Sequence, residues 1–229
     1  GLESLFTKWG ITLGDQLVMD PKDDSFPVPQ NRQLGNGMVV REVHEVPYPY
    51  FVKLDGDQLS DGSIITSGLA GAVMHFASPV KADGKAGDDI HKVDTLLRSS
   101  SDATLTTSTD IEPGATKPTG KPAAEVLGVA VTGGFATTVK ADKDKRVLEH
   151  SPPDTRIVVF GSSAFASDDL LNLAKQLDDE LVQDNVELVH NAVDWSLADT
   201  YLLASRSRTA ANRALRSAPD ARATWRTAN

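Results

Sequence analysis

The segment that most constrains the fold is Arg156-Ile-Val-Val-Phe160, an apolar run without alternation that ends in Gly161-Ser162-Ser163. Such a run, bounded by a turn, reads as a strand buried on both faces. A helical tract follows. Val186, Val189, Val193 and Leu197 recur at i, i+3, i+7 and i+11 with Ala192 on the flank, and Gln183-Asp184-Asn185 offers N-cap chemistry. A strand, turn and helix in this order need a sheet to dock on, and the rest of the chain supplies candidates. Residues 16–19, 38–43, 51–54, 72–76, 91–97, 125–131 and 201–203 read as strands. Between the first two, Asp20-Pro21 leads into a polar, Pro-rich stretch expected to be a loop through Asn31. At the front, Leu2, Leu5, Phe6 and Trp9 share one helical face and Gly10 stands at the left-handed C-cap position. The expectation is an α/β domain, a mixed sheet flanked by helices.

With 229 residues and 40% hydrophobic content the chain has material for a real core. Residues 1–205 are expected to form one domain. Within it, 99–122 contains 15 Ser, Thr, Pro or Gly among 24 residues and no aromatic, so it reads as a mobile insertion. Residues 206–229 form a basic tail of six arginines against one acid, whereas 1–205 carries 17 basic and 31 acidic side chains, a net −14. The overall charge of −9 argues against nucleic acid as a principal partner. The absence of cysteine excludes disulfides, thiolate metal sites and a cysteine nucleophile.

The chemistry-bearing candidates are few. His44, His75, His91, His150 and His190 lie at least 16 residues apart, which is not the spacing of a local metal motif. Asp55, Asp57 and Asp61-Gly62 begin like a calcium loop, but Leu59 stands where a third oxygen ligand is required and Thr66 where an acid is. No phosphate loop or dinucleotide fingerprint is present, and no cofactor is implied. Gly161-Ser162-Ser163-Ala164-Phe165 has the setting of a nucleophile elbow, with Ser163 as nucleophile and Asp184 and His190 as partners. Phe165 occupies the place where the elbow needs glycine, and His190 sits beside Val189 on the apolar stripe. Tyr48, Tyr50 and Phe51, interleaved with Pro47 and Pro49, form an aromatic run that an exposed binding platform would use, joined by Trp9.

Several segments, taken in order, resemble the ABC-type transport auxiliary family, which includes gliding-motility transporter components. Residues 1–11 resemble its short helix leading to a Gly-Ile step, and Leu17-Val-Met-Asp-Pro21 resembles its strand ending in Asp. Val46-Pro-Tyr-Pro-Tyr-Phe51, residues 64–79 and Leu96-Leu-Arg-Ser-Ser100 resemble its Tyr-Pro-Tyr segment, its returning strand and its Ser-rich step. The most specific matches are residues 156–165 and Leu188-Val-His-Asn-Ala-Val-Asp-Trp195, followed by Arg206-Ser-Arg208 before the family's final membrane helix. The family tends to carry an acid after Gly161, where this chain has Ser162 and Ser163.

The resemblance implies a Rossmann-like, class I amidotransferase-like fold without the cysteine, present as part of a larger domain. It implies an extracytoplasmic position on the periplasmic or outer side of the cell membrane, a membrane segment beyond the tail, and permease and ATPase subunits as partners. The leading functional expectation is a non-catalytic interaction or binding domain of a transporter auxiliary subunit. The alternatives are a degenerate α/β hydrolase using Ser163, and a module binding a polysaccharide or other cell-envelope ligand through Tyr48, Tyr50 and Phe51.

Overall fold

The computed structural model describes residues 2–35, 38–87, 89–115, 117–139, 147–177 and 180–198. Helix α1 (Leu2–Lys8) is followed by strands β1 (Ile11–Leu13), β2 (Leu17–Met19), β3 (Asp23–Gln33), β4 (Val39–Asp55) and β5 (Gly71–His75). Strands β6 (Val80–Ala82), β7 (Lys85–Ala86), β8 (Asp89–Arg98), β9 (Thr104–Thr106), β10 (Val126–Gly133) and β11 (Arg156–Phe160) precede helices α2 (Asp168–Leu177) and α3 (Glu180–Ser196). The strands form sheets β11-β10-β8-β7, β3-β4-β5, β2-β9 and β1-β6.

The α/β class is as expected, but every pairing among the described strands is antiparallel. A Rossmann-like or class I amidotransferase-like core needs parallel strands joined by crossover helices, and these sheets contain no such pair. The buried run of β11 does not decide between parallel and antiparallel pairing. Both of its faces pack, with Val158 and Phe160 against one apolar cluster and Ile157 and Val159 in another, yet β11 ends its sheet beside β10. An apolar run reports two covered faces and says nothing about strand direction.

The sheet β8-β10-β11 separates two cores. On one face Leu96, Leu97, Leu127 and Ala130 meet Val52, Leu54, Ala72 and Met74 of β4 and β5, with Leu188 and Ala192 of α3. On the other, Val129, Val131 and Val159 meet Ile11, Val80 and Phe135 beneath Phe6 and Trp9. α1 ends where Gly10 adopts φ +71, as the C-cap reading requires.

Helix α3 is rotated from its expected seating. Leu188 and Ala192 are buried, whereas Val193 is 50% and Leu197 74% exposed. The cause is Asn185, which is fully buried inside the helix rather than capping it. Val73 N–H donates to Asn185 Oδ1 at 3.0 Å, and Asn185 Nδ2 donates to the carbonyls of Val73 at 2.9 Å and Phe165 at 2.8 Å. The amide thus takes the place of a further strand along β5 and satisfies backbone groups that burial would otherwise orphan.

One other stretch differs from expectation. Residues 23–33 are strand β3 rather than loop. Within 99–122, Ala103 is buried and Thr104–Thr106 pairs with β2, while 107–122 holds no strand or helix among the described residues. The strand expected at 201–203 and the basic tail at 206–229 lie outside the described residues.

Candidate functional site

The turn after β11 is built around Gly161. Its N–H donates to Leu127 O at 2.8 Å and its carbonyl accepts Ser78 N–H at 2.7 Å. A Cβ there would lie 1.9 Å from Ser78 O, so only glycine fits. Ser162 then uses its hydroxyl completely: Oγ donates to His75 O at 2.5 Å and accepts the N–H groups of Ala164 at 3.1 Å and Phe165 at 3.2 Å. Phe165 is buried with its ring 5.1 Å from Phe160. The turn is a structural closure on the end of β5. Ser163 is exposed, and His190 is exposed rather than on the packed face of α3. Among the described residues no hydrogen bond joins the two, so the structure does not assemble the expected pair.

The aromatic run is also spent on packing. Tyr48, Tyr50 and Phe51 are each no more than 3% exposed and form a cluster with Met19, Val73, Phe26, Phe76 and α2 residues Leu170 and Leu171. Tyr48 and Phe51 meet edge to face at 4.7 Å, and Phe51 meets His75 at 4.3 Å. Burial pushes the Tyr48 phenol up to about 12, with Tyr50 and Asp110 adding to it. The Tyr48 hydroxyl donates to Ile111 O and that of Tyr50 to Asp110 O at 3.3 Å, tying this part of 99–122 to the core. An exposed platform at these three rings is therefore corrected to an interior cluster. Trp9 is half-buried, donates through Nε1 to Ala136 O at 2.9 Å and lines an apolar cleft of about 470 Å³ with Phe135.

Two of the segments read as motifs converge. Asp20 is fully buried; its Oδ1 accepts Lys22 N–H at 2.9 Å and the Ser100 hydroxyl at 2.6 Å, and its Oδ2 accepts Ser100 N–H at 2.7 Å. The strand ending in Asp and the Ser-rich step are thus one buried knot. Beside it, burial lifts the Asp23 carboxyl to about 6, the Asp20 carboxylate adding to the effect against its own backbone hydrogen bond. The histidines do not gather: His44 and His190 are exposed, His75 and His91 are buried at separate places, and His150 faces Asp89 at 3.3 Å.

The surface that sequence reading missed is the hairpin of β3 and β4. β4 pairs with β5 only from Phe51 to Asp55, while its pairing with β3 runs on to Val39 opposite Gln33. Between Asp23 and Asp24 the register shifts from Val52 to Tyr48, and beyond this bulge the two strands continue as an arm. Pro27, Pro29 and Pro47 all fall in alternate pairs of the register, opposite Glu45, Val43 and Ser25. Proline has no N–H, so these are the pairs whose amide positions point away from the partner strand, and both edges of the arm's base are blocked against further pairing. Strand alternation puts Val39, Arg41, Val43, Glu45 and Pro47 on one face, and all five are exposed, Val39 at 59% and Val43 at 57%. Two prolines two residues apart, opposite a β-branched run, were the signal for an extended rather than looped 23–33.

The family model described as ABC-type uncharacterized transport system matches residues 1–192. The chain belongs to this family. The match includes the arm, the Asp20–Ser100 knot and the Gly161 turn of this ABC-type transport auxiliary protein. No curated protein and no solved structure matches it. Among the described residues no helix is long and apolar enough to cross a membrane.

Proposed function

We propose that this ABC-type transport auxiliary protein is a non-catalytic interaction domain that docks on the membrane-embedded permease of its transporter through the arm formed by β3 and β4. The observation that carries the proposal is the arm's outer face, where two valines of one strand are more than half exposed beside Arg41 and Glu45. A two-stranded ribbon is marginal in water, and apolar side chains displayed on one face are what a partner surface covers. In this reading the domain sits on the periplasmic or outer side of the cell membrane, like the gliding-motility transporters it resembles. The basic segment 206–229 leads to a membrane anchor, and the transporter's ATPase is engaged indirectly through the permease.

The test is a photo-crosslinking side chain at Val43 in the full-length protein in its native cells. Ile90, 79% exposed on the body, is the control position. Crosslinking from Val43 to an integral membrane transporter subunit, and not from Ile90, is expected. Equal yields from both sites, or none from Val43, would overturn the docking role. Labelling of the domain by a membrane-impermeant reagent checks its sidedness.

A further inference from the structure

A polar cleft lies away from the arm, where the loop after β4 faces β8 and the end of α3. Its volume is about 410 Å³, within the range of small-ligand sites, and its walls include Ser60, Ser63, Lys92, Asp94, Thr95 and Trp195. Every wall is held in place. Ser60 N–H donates to Leu96 O at 2.9 Å, and Thr66 Oγ1 donates to the carbonyls of Ser60 at 2.6 Å and Ser63 at 3.2 Å, fixing the loop. Arg156 lies 5.1 Å over the Trp195 ring and donates through Nη1 to Trp195 O at 2.9 Å, fixing the indole and its helix end. Lys92 Nζ meets Asp94 Oδ2 at 2.9 Å, so the two charged side chains that line the cleft neutralise each other.

This combination selects one ligand chemistry. An apolar chain would leave the Asp94, Lys92 and serine groups desolvated without partners. A phosphate or carboxylate would face the Asp94 carboxylate, and Lys92 is already neutralised by it. A neutral sugar ring has what the cleft asks for: a C–H face to lie on an indole and a rim of hydroxyls that both donate and accept. Asp94 accepts from such hydroxyls, and Lys92 donates to them. We propose that this cleft is a binding subsite for a neutral saccharide, with Trp195 as its stacking surface and Asp94 as its main acceptor. The site is independent of the arm and of the permease docking.

The experiment is a titration of the intact chain with methyl glycosides of glucose, galactose, mannose and N-acetylglucosamine and with cellobiose, followed by amide and indole N–H NMR shifts. At least one neutral saccharide is expected to saturate with a Kd of about 0.1–10 mM, as for a small wet site. The shifts should be confined to residues 60–64, 92–95 and the Trp195 indole. Asp94→Asn should weaken binding about tenfold, one well-placed charged hydrogen bond, with the melting temperature unchanged. Trp195→Phe, which keeps an aromatic face and a folded helix end, should weaken it less. No saturable shift with any of these sugars, shifts that survive Asp94→Asn undiminished, or binding only of glucuronate or glucose 6-phosphate would overturn the assignment.

Discussion

The two halves of β4 differ sharply in how they are covered. From Tyr48 to Asp55 the strand is buried or half-buried throughout, between β5, α2 and the central core. From Val39 to Pro47 the same strand, with four valines among charged residues, has β3 as its only partner among the described strands and shows a wholly exposed face. Composition and cover change together: the three aromatic rings lie in the covered half, and the arm half carries valines with no third element over them. An apolar strand becomes core only where a third element lies over it, and where none does, its valines are left for another molecule. Stability is therefore expected to reside in the body half and association in the arm half.

The largest effect belongs to the body. Gly161→Ala drives a methyl into the Ser78 carbonyl and should cost about 4 kcal/mol or more, read as loss of cooperative unfolding or a steep fall in urea midpoint. Asn185→Ala comes next. It strips partners from Val73 N–H and from the carbonyls of Val73 and Phe165 in a buried place, and should cost about 3–5 kcal/mol in the same assay. An Asn185→Ala variant as stable as the parent would mean that α3 does not seal the β5 edge.

A smaller effect sits at the boundary between the halves, where Asp23 marks the bulge. Its carboxyl is lifted by burial from 3.8 to about 6, so the folded state holds that proton more tightly than the unfolded chain. The associated stability is fully present below about pH 4 and lost as the pH rises through 6. Asp23→Asn should therefore be more stable than the parent at pH 7, with the gap closing toward pH 4. A gap that is constant with pH would place the Asp23 carboxyl in water.

These sites also show how far the sequence was legible. The helix at the front with its Gly10 cap and the strands around Val73, Val93 and Val129 followed from periodicity, and the family from the resemblance of its ordered motifs. The arm did not, because Pro27 and Pro29 look like loop residues until a register shows that both sit where no N–H is needed. The seating of α3 did not, because a valine stripe carries the helical period whichever neighbouring stripe is buried, and a polar Asn185 at the centre of the interface runs against hydrophobic patterning. The parallel fold was implied by the resemblance, and the apolar run of β11 could not correct it, because its two packed faces come from separate cores on either side of an antiparallel sheet. Among site residues, the rings of Tyr48, Tyr50 and Phe51 were identified as a group but not as interior. Ser163 drew attention as the middle residue of an elbow-like turn, whereas the hydroxyl that builds the turn is that of Ser162.

The smallest stability effect carries the most functional weight. Val43→Asp, at a side chain 57% exposed, should change stability by no more than about 0.5 kcal/mol while reducing recovery of the transporter complex several-fold. The most direct measurement removes the arm altogether. In the full-length protein, residues 28–44 are replaced by a two-residue turn that keeps Phe26 and Val46 paired, and melting and co-purification with the membrane subunit are measured together. The account predicts a melting temperature within a few degrees of the parent and loss of the transporter subunit from the purified complex. A shortened protein that still co-purifies with its transporter at parental yield would contradict it.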